Sequence, residues 1–360
     1  MKTAIVMGTR PEIIKLAPVI NKLHKKDCSV IFTGQHFDYH MGLKFIEQLG
    51  IRKPDYSLKI ERTVPVIQIG QIINKLAKIF TEIKPETVIV QGDTNTVLAA
   101  GVCSLKSGIP ISHIESGLRS FDWRMPEEHN RIATDHLSEL LFAPTKNAKN
   151  NLINEKVHGK IFITGNTIID SINNYEKFSS KQSQITIDKS NFILMTLHRA
   201  ENVDDKKILI PIIRTILNSN EDFIFPVHPR TIKKLQEFKL YEQLTKSDNV
   251  LLLESVGYFE MLELMKKCSF IVTDSGGIQE EATSEKIRKK VLVLRKTTDR
   301  PEAVFQGFSE LIGTNPQKIN LAIKNTSKNP TVPHKQSPFG NGHASEKIVS
   351  LIKKNISCSK

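Results

Sequence analysis

Short apolar runs rich in β-branched residues alternate along this chain with amphipathic stretches of helical length. The runs predict strands at residues 3–7, 29–33, 87–91, 111–114, 140–143 and 161–164. After Gly165 the pattern restarts, with strands predicted at 192–197, 223–227, 250–253, 270–273 and 291–294. Strands separated by helix-length segments pair in parallel, and helices cover both faces of each sheet. The two series therefore predict an α/β chain of two doubly wound, Rossmann-like domains facing a central cleft, with ligands held at the carboxyl ends of the strands. The first domain is expected over residues 1–166 and the second over 167–343. A last helix, 344–354, is expected to cross back, so that 344–360 joins the first domain. The polar stretch 179–190 reads as a loose surface connection. Residues 325–342, with three prolines and two glycines, break regular structure.

The polar residues that stand out follow the predicted strands. Asp274-Ser275-Gly276-Gly277-Ile278-Gln279-Glu280-Glu281 comes directly after the strand at 270–273 and opens a helix. A Ser-Gly-Gly turn there leaves backbone N–H groups at the positive end of a helix dipole, a common seat for phosphate. Glycine lets an anion approach the backbone, and the Ser275 hydroxyl adds a donor. Glu280 and Glu281, on the first turn, either stabilise the helix end or reach the hydroxyls of an attached ribose. The same residues also describe an ordinary turn capped by Ser275.

Arg10 and Lys15 flank the start of a helix opened by Pro11. Cations are poorly placed there unless an anion joins them, which points to phosphate contact; a solvated surface pair is the alternative. Asp93 follows the third strand, where capping a helix is the commoner role for aspartate. Glu115 ends the fourth strand, and Glu127 lies in the first turn of the helix opened by Pro126. Three carboxyls at adjacent strand or helix ends are expected to converge on one cleft and supply both proton acceptors and donors. His198, Arg199, His228 and Arg300 follow strands of the second series. A diphosphate beside the Ser-Gly-Gly turn is the economical explanation of these cationic groups.

Composition narrows the class. A chain of 360 residues, 39% hydrophobic and 25% charged, is long enough for two cores and reads as a globular protein. No apolar run approaches the roughly 20 residues of a membrane span, and Met1–Met7 lacks the features of a signal peptide. The four cysteines are far apart and form no metal or disulfide pattern, so no metal is expected and a reducing cytoplasm fits. The net charge of +13 suggests nucleic acid, but residues 317–360 alone hold eight lysines against one acid. Without interleaved aromatics or a recognisable module, this excess reads as solvated surface, with no nucleic-acid partner.

Taken together, the segments resemble the non-hydrolysing UDP-N-acetylglucosamine 2-epimerase family. The matching blocks are GTRPEIIK (8–15), QGDT (91–94), HIESGLR (113–119), MPEEHNR (125–131), TGNTIID (164–170), LHRAEN (197–202), VHPR (227–230), TDSGGIQEEA (273–282) and DRPEA (299–303). They run in family order over nearly the whole chain. The resemblance implies a glycosyltransferase-B-like fold and interconversion of UDP-GlcNAc and UDP-ManNAc without a cofactor. In the family reaction the C2 proton is removed and UDP expelled to give 2-acetamidoglucal, and UDP then returns with protonation on the other face. Carried over by motif, Asp93, Glu115 and Glu127 are the acid–base residues and His198 is catalytic at the diphosphate. Arg10, Lys15, Ser275, Gly276 and Gly277 hold the diphosphate, Glu281 the ribose, and Arg300 assists at the sugar-phosphate. Arg199 and His228 join the substrate-binding set. Gln35 and His36 resemble the start of a region where bacterial members bind a second UDP-GlcNAc as activator, although the chain continues differently from there. The resemblance also implies a homodimer working in the cytoplasm, feeding surface polysaccharide or glycan synthesis. Two further readings stay open: a 2-epimerase of a related UDP-2-acetamido sugar, such as UDP-2,3-diacetamido glucuronate, and a transferase of the same fold.

Overall fold

The strand β1 (Thr3–Met7) is buried at all five positions, as a strand covered by helices on both faces must be. In the computed structural model, which describes residues 2–35, 39–61, 63–182, 191–254 and 256–357, β1 lies inside a seven-stranded parallel sheet. Its companions are β2 (Cys28–Phe32), β3 (Tyr56–Ser57), β4 (Thr87–Gln91), β5 (Ile111–Ile114), β6 (Leu140–Ala143) and β7 (Lys160–Ile163). They are ordered β3-β2-β1-β4-β5-β6-β7. The chain therefore winds outward on one side of β1 and then returns to build on the other. Strand order reverses between β1 and β4, where a parallel sheet opens a crevice at its carboxyl ends.

A second parallel sheet repeats the plan with β8 (Ile193–Thr196), β9 (Phe223–Val227), β10 (Val250–Glu254), β11 (Ile271–Thr273), β12 (Val291–Val293) and β13 (Ser309–Leu311). Its order is β10-β9-β8-β11-β12-β13, so the reversal falls between β8 and β11. The chain divides into two compact units, Met1–Asn174 with Phe339–Lys360, and Tyr175–Pro338.

Each unit has its own core. In the first, Val6, Ile31, Val88 and Val90 of the strands pack with Ile72, Leu76 and Phe80 of helix Pro65–Ile83. In the second, Met195, Phe223, Phe225 and Val272 pack with Ile212, Ile213 and Ile216 of helix Lys206–Leu217. Each such side chain contributes about 1.5–3 kcal/mol relative to exposure, which is why the strands read as continuous apolar runs. Among the described residues no helix is long and apolar enough to cross a membrane.

The predicted strands occur, most of them within one residue of their expected ends. Two were not predicted, β3 and β13, and both lie at sheet edges. With one neighbour each and only two and three residues, they carry no apolar run. The stretch 179–190 is not loose at its start: helix Thr167–Gln182 continues through it, and the buried Ser179 hydroxyl bonds the Glu176 carbonyl at 2.6 Å. Residues 183–190 lie outside the described ones. The irregular stretch likewise begins later than 325, because helix Pro316–Lys328 runs on.

TGNTIID finds its physical reason here. Asp170, 2% exposed, accepts from the backbone N–H of Ala344 (3.1 Å) and Ser345 (2.8 Å) and from the Ser345 hydroxyl (2.6 Å). It thereby caps the last helix, Ala344–Ser357, which packs against the first, Arg10–Lys22. The Asn166 N–H adds a bond to the Phe339 carbonyl at 2.7 Å. Asp170→Ala leaves two buried N–H groups unpaired and is expected to cost about 2 kcal/mol. Calorimetry should show the thermal midpoint lowered by roughly 4–8 °C, with Asp170→Asn falling between.

Candidate active site

The register Gln91↔Ile114 places Asp93 and Glu115 at neighbouring strand ends, and Gly92 N–H donates to the Ile114 carbonyl at 3.1 Å. Glu115 has φ +69°, a left-handed conformation that costs a non-glycine residue on the order of 1–3 kcal/mol. Its carboxylate is held by Lys15 Nζ at 2.5 Å and Gln91 Nε2 at 2.6 Å, with both partners of the ion pair buried. The Asp93 carboxylate is taken by Arg131 through Nε at 3.1 Å and through Nη2. Arg131 also donates to Glu128 at 3.0 Å. Glu128 is fully buried and closes the preceding loop by accepting from Ser120 N–H (3.1 Å) and Phe121 N–H (2.9 Å). Glu127, one residue earlier on helix Pro126–Leu137, is half-buried, and its carboxyl makes no hydrogen bond or ion pair with a described residue.

Behind these groups lie two buried supports. Glu12, 1% exposed, accepts from Gly8 N–H and from the Thr94 hydroxyl, each at 2.5 Å. It thereby ties the loop after β1 to the loop after β4. Burial pushes its carboxyl up from the usual 4.5 to about 7, against the hydrogen bonds, which favour the ionised form. His113 sits on β5 with Nδ1 2.7 Å from Asp135 and Nε2 2.8 Å from the Gly92 carbonyl. Asp135 also accepts from Arg119 (2.7 Å) and Gly117 N–H (3.0 Å). Its burial alone would raise the carboxyl, but His113 and Arg119 hold it below the usual range. Gly8 must be glycine: a Cβ there would lie 2.2 Å from Thr33 Oγ1 and 2.3 Å from Thr96 Oγ1.

In the second unit, His198 follows β8 and Asp274 follows β11, on adjacent strands. Asp274 is fully buried and faces His198 Nδ1 at 3.2 Å. It also accepts from the N–H groups of His198 (3.2 Å) and Arg199 (3.0 Å) and from Asn202 (3.2 Å). Burial works against the charge, yet these donors keep the Asp274 carboxyl below the usual range. The His198 Nδ1 proton thus points inward and Nε2 is left for a ligand. His228, after β9, has its ring centroid 6.3 Å from that of His198. Ser275 caps helix Gly276–Glu281 by accepting from Ile278 N–H. A Cβ on Gly277 would meet nothing closer than Ser275 Oγ at 3.9 Å, so internal packing does not require glycine there. Arg300 donates to the buried Glu280 at 2.6 Å and pairs with Asp299.

The expected residues thus gather at the carboxyl ends of the two sheets. Asp93, Glu115, Lys15 and Arg10 belong to the first unit, where the Arg10 guanidinium stands 5.0 Å above the Phe45 ring. His198, Arg199, His228, the Ser275–Gly277 turn, Glu281 and Arg300 belong to the second. Lys15 is engaged by Glu115, and Arg230 by Asp204. Gln35 is buried and accepts from Thr96 N–H (2.9 Å) and Thr96 Oγ1 (2.7 Å); His36 lies outside the described residues. Glu12, His113, Asp135, Arg131 and Asp274 were not singled out from sequence, although four of the five stand within the motif blocks. Among the described residues no group of three or more His, Cys, Asp and Glu side chains is arranged to hold a metal.

Two parallel, doubly wound units with polar residues at the crevice of each define a Rossmann-like α/β protein of glycosyltransferase-B-like fold. The family model for UDP-N-acetylglucosamine 2-epimerase matches residues 20–353. A curated UDP-N-acetylglucosamine 2-epimerase of Methanococcus maripaludis is 43% identical over 363 residues, 98% of each chain. The crystal structure of Methanocaldococcus jannaschii UDP-GlcNAc 2-epimerase in complex with UDP-GlcNAc and UDP is 41% identical, with a TM-score of 0.91 over 99% of this chain and 100% of that one. A UDP-2,3-diacetamido-2,3-dideoxy-D-glucuronate 2-epimerase of Pseudomonas aeruginosa is 36% identical over 364 residues, 98% of this chain and all of its own. The chain belongs to the UDP-N-acetylglucosamine 2-epimerase family and is an enzyme of the isomerase class.

The raised Glu12 carboxyl makes stability depend on pH. In the unfolded chain Glu12 ionises near 4.5 and in the folded one near 7, so the folded state holds the extra proton between those values. Stability from this group is complete below pH 4.5 and declines by roughly 3 kcal/mol as pH rises to about 7, then levels off. Urea melts of wild type and Glu12→Gln from pH 4.5 to 8 should show the variant gaining on wild type across that window.

Proposed function

We propose that this protein interconverts UDP-N-acetylglucosamine and UDP-N-acetylmannosamine by eliminating and re-adding UDP. The reading is carried by the placement of Asp93 and Glu115 at neighbouring strand ends, in a chain that aligns end to end with epimerases of this name.

Each step balances without redox chemistry. A carboxylate takes the C2 proton, the C1–O bond breaks, and its electron pair leaves on UDP. A C1=C2 double bond remains, giving 2-acetamidoglucal. UDP then attacks C1 again while an acid delivers a proton to the opposite face of C2. No cofactor is required by this sequence of bonds. Asp93, Glu115 and Glu127 supply the acids and bases, a contribution of typically 10²–10⁴-fold per well-placed group. Lys15 and Gln91 orient Glu115, and Arg131 orients Asp93.

At the other end of the substrate, His198, oriented by Asp274 through Nδ1, donates to the diphosphate from a protonated Nε2 as negative charge builds on departing UDP. The Ser275 hydroxyl and the Gly276 and Gly277 N–H groups are offered to it, and Glu281 makes the ribose contact. Arg10 and Lys15 of the first unit, and Arg199, His228 and Arg300 of the second, are the further substrate-binding groups of this reading. The product serves polysaccharide or glycan synthesis, and the working enzyme is a cytoplasmic homodimer. Substrate choice has one competitor, the diacetamido glucuronate named for the Pseudomonas aeruginosa relative, which shares the C2 chemistry.

Incubation with UDP-GlcNAc in deuterated water should yield UDP-ManNAc carrying deuterium at C2, without any acceptor. A parallel panel including the diacetamido glucuronate, followed by NMR, decides the substrate; no exchange with either defeats the reading. Asp93→Asn and Glu115→Gln should each lower kcat by roughly 10²–10⁴-fold, while UDP affinity by calorimetry stays within about threefold.

A further inference from the structure

The turn Gly92-Asp93-Thr94 is held at every residue by a side chain from a different element. His113 Nε2, on β5, donates to the Gly92 carbonyl at 2.8 Å. Asn130 Nδ2, on helix Pro126–Leu137, donates to the Asp93 carbonyl at 3.0 Å, and Arg131 takes the Asp93 carboxylate. The Thr94 hydroxyl donates to Glu12 at 2.5 Å, and the other Glu12 oxygen accepts Gly8 N–H. Glu12 comes from the helix after β1, so its carboxyl crosses the point where strand order reverses.

Nothing in the proposed bond-making uses Glu12. A carboxyl 1% exposed is costly to bury, and a leucine in its place would leave the Gly8 N–H and the Thr94 hydroxyl without an acceptor. What it offers that leucine does not is a pair of acceptors at fixed separation, one for each of two loops.

We propose that Glu12 is a positioning residue for Asp93, setting through Thr94 where the Asp93 carboxylate stands relative to the loop after β1. This rests on the reading of Asp93 as an acid–base group. Displacement of a reacting group by about 1 Å can cost ~10²-fold in rate. Arg131 and Asn130 still hold Asp93 from one side when the Glu12 tie is cut, so the loss is partial.

Glu12→Ala, which cuts the tie, and Thr94→Val, which cuts it together with the Val97 N–H cap, are expected to lower kcat for UDP-GlcNAc by roughly 10–100-fold, with KM within about threefold. Thr94→Ser, which keeps the hydroxyl, and Glu12→Gln, whose carbonyl accepts Gly8 N–H while its amide N–H donates to the Thr94 hydroxyl, should recover kcat to within about fivefold of wild type. Hydrogen exchange read by mass spectrometry should be faster over 91–96 in Thr94→Val and Glu12→Ala than in wild type, and unchanged over 140–143. Wild-type kcat in Thr94→Val overturns the proposal. So does a folded Glu12→Gln that fails to recover, since the carboxyl would then act by its chemistry rather than by its reach. If Glu12→Ala does not fold, Thr94→Val carries the test. If wild-type protein exchanges no C2 hydrogen with either sugar, the epimerase reading fails, and the 91–96 exchange rates alone decide the tie.

Discussion

A parallel sheet opens a crevice only where successive connections leave in opposite directions, and here that happens between β1 and β4 and again between β8 and β11. All strands of a unit point the same way, so every loop leaving a carboxyl end arrives on one side of its sheet. Side chains far apart in sequence are thereby brought within bonding distance. Lys15 and Glu115, 100 residues apart, are the plainest case. So are His198 and Asp274, which follow adjacent strands.

What occupies the two crevices differs in kind. The first unit collects carboxylates, three of them restrained by a cation: Glu115 by Lys15, Asp93 by Arg131, Asp135 by Arg119. Pairs of this sort contribute little net stability, because desolvating both charges offsets most of their attraction. Their worth here is geometric. A carboxylate pinned at known distances is a proton-transfer group with little reorganisation left to do. The second unit instead collects donors and spaces without side chains: the His198 ring, the first-turn N–H groups and Gly277. An arrangement of donors suits a polyanion, and an arrangement of carboxylates suits an acidic C–H bond.

Much of this was legible in the residues alone. Strands such as β4 and β9 fell where an unbroken apolar run had to be buried on both faces. The edge strands β3 and β13 were invisible, because pairing on one side alone makes no such demand on composition. Asp93, Glu115 and His198 stood out as polar residues immediately after a buried run. Glu12 and His113 did not, although they lie in the same motifs. A buried carboxyl and a solvated one look alike in a sequence, and only packing distinguishes them. Asp274 left a signal that went unused: an acid between a buried strand and a glycine turn, with no cation nearby in sequence to explain it.

The backbone at Glu115 carries a consequence for how this protein evolves. A left-handed φ of +69° is tolerated most readily by glycine and, less so, by asparagine or aspartate. Glycine at this position would relieve that strain, but it would also leave the buried Lys15 ammonium without its partner, so the substitution is no simple gain for folding. The strained backbone at Glu115 and its bond to Lys15 therefore tie two positions a hundred residues apart into one unit. Homologous chains that abandon the glutamate should abandon the lysine with it, the two positions drifting as a pair.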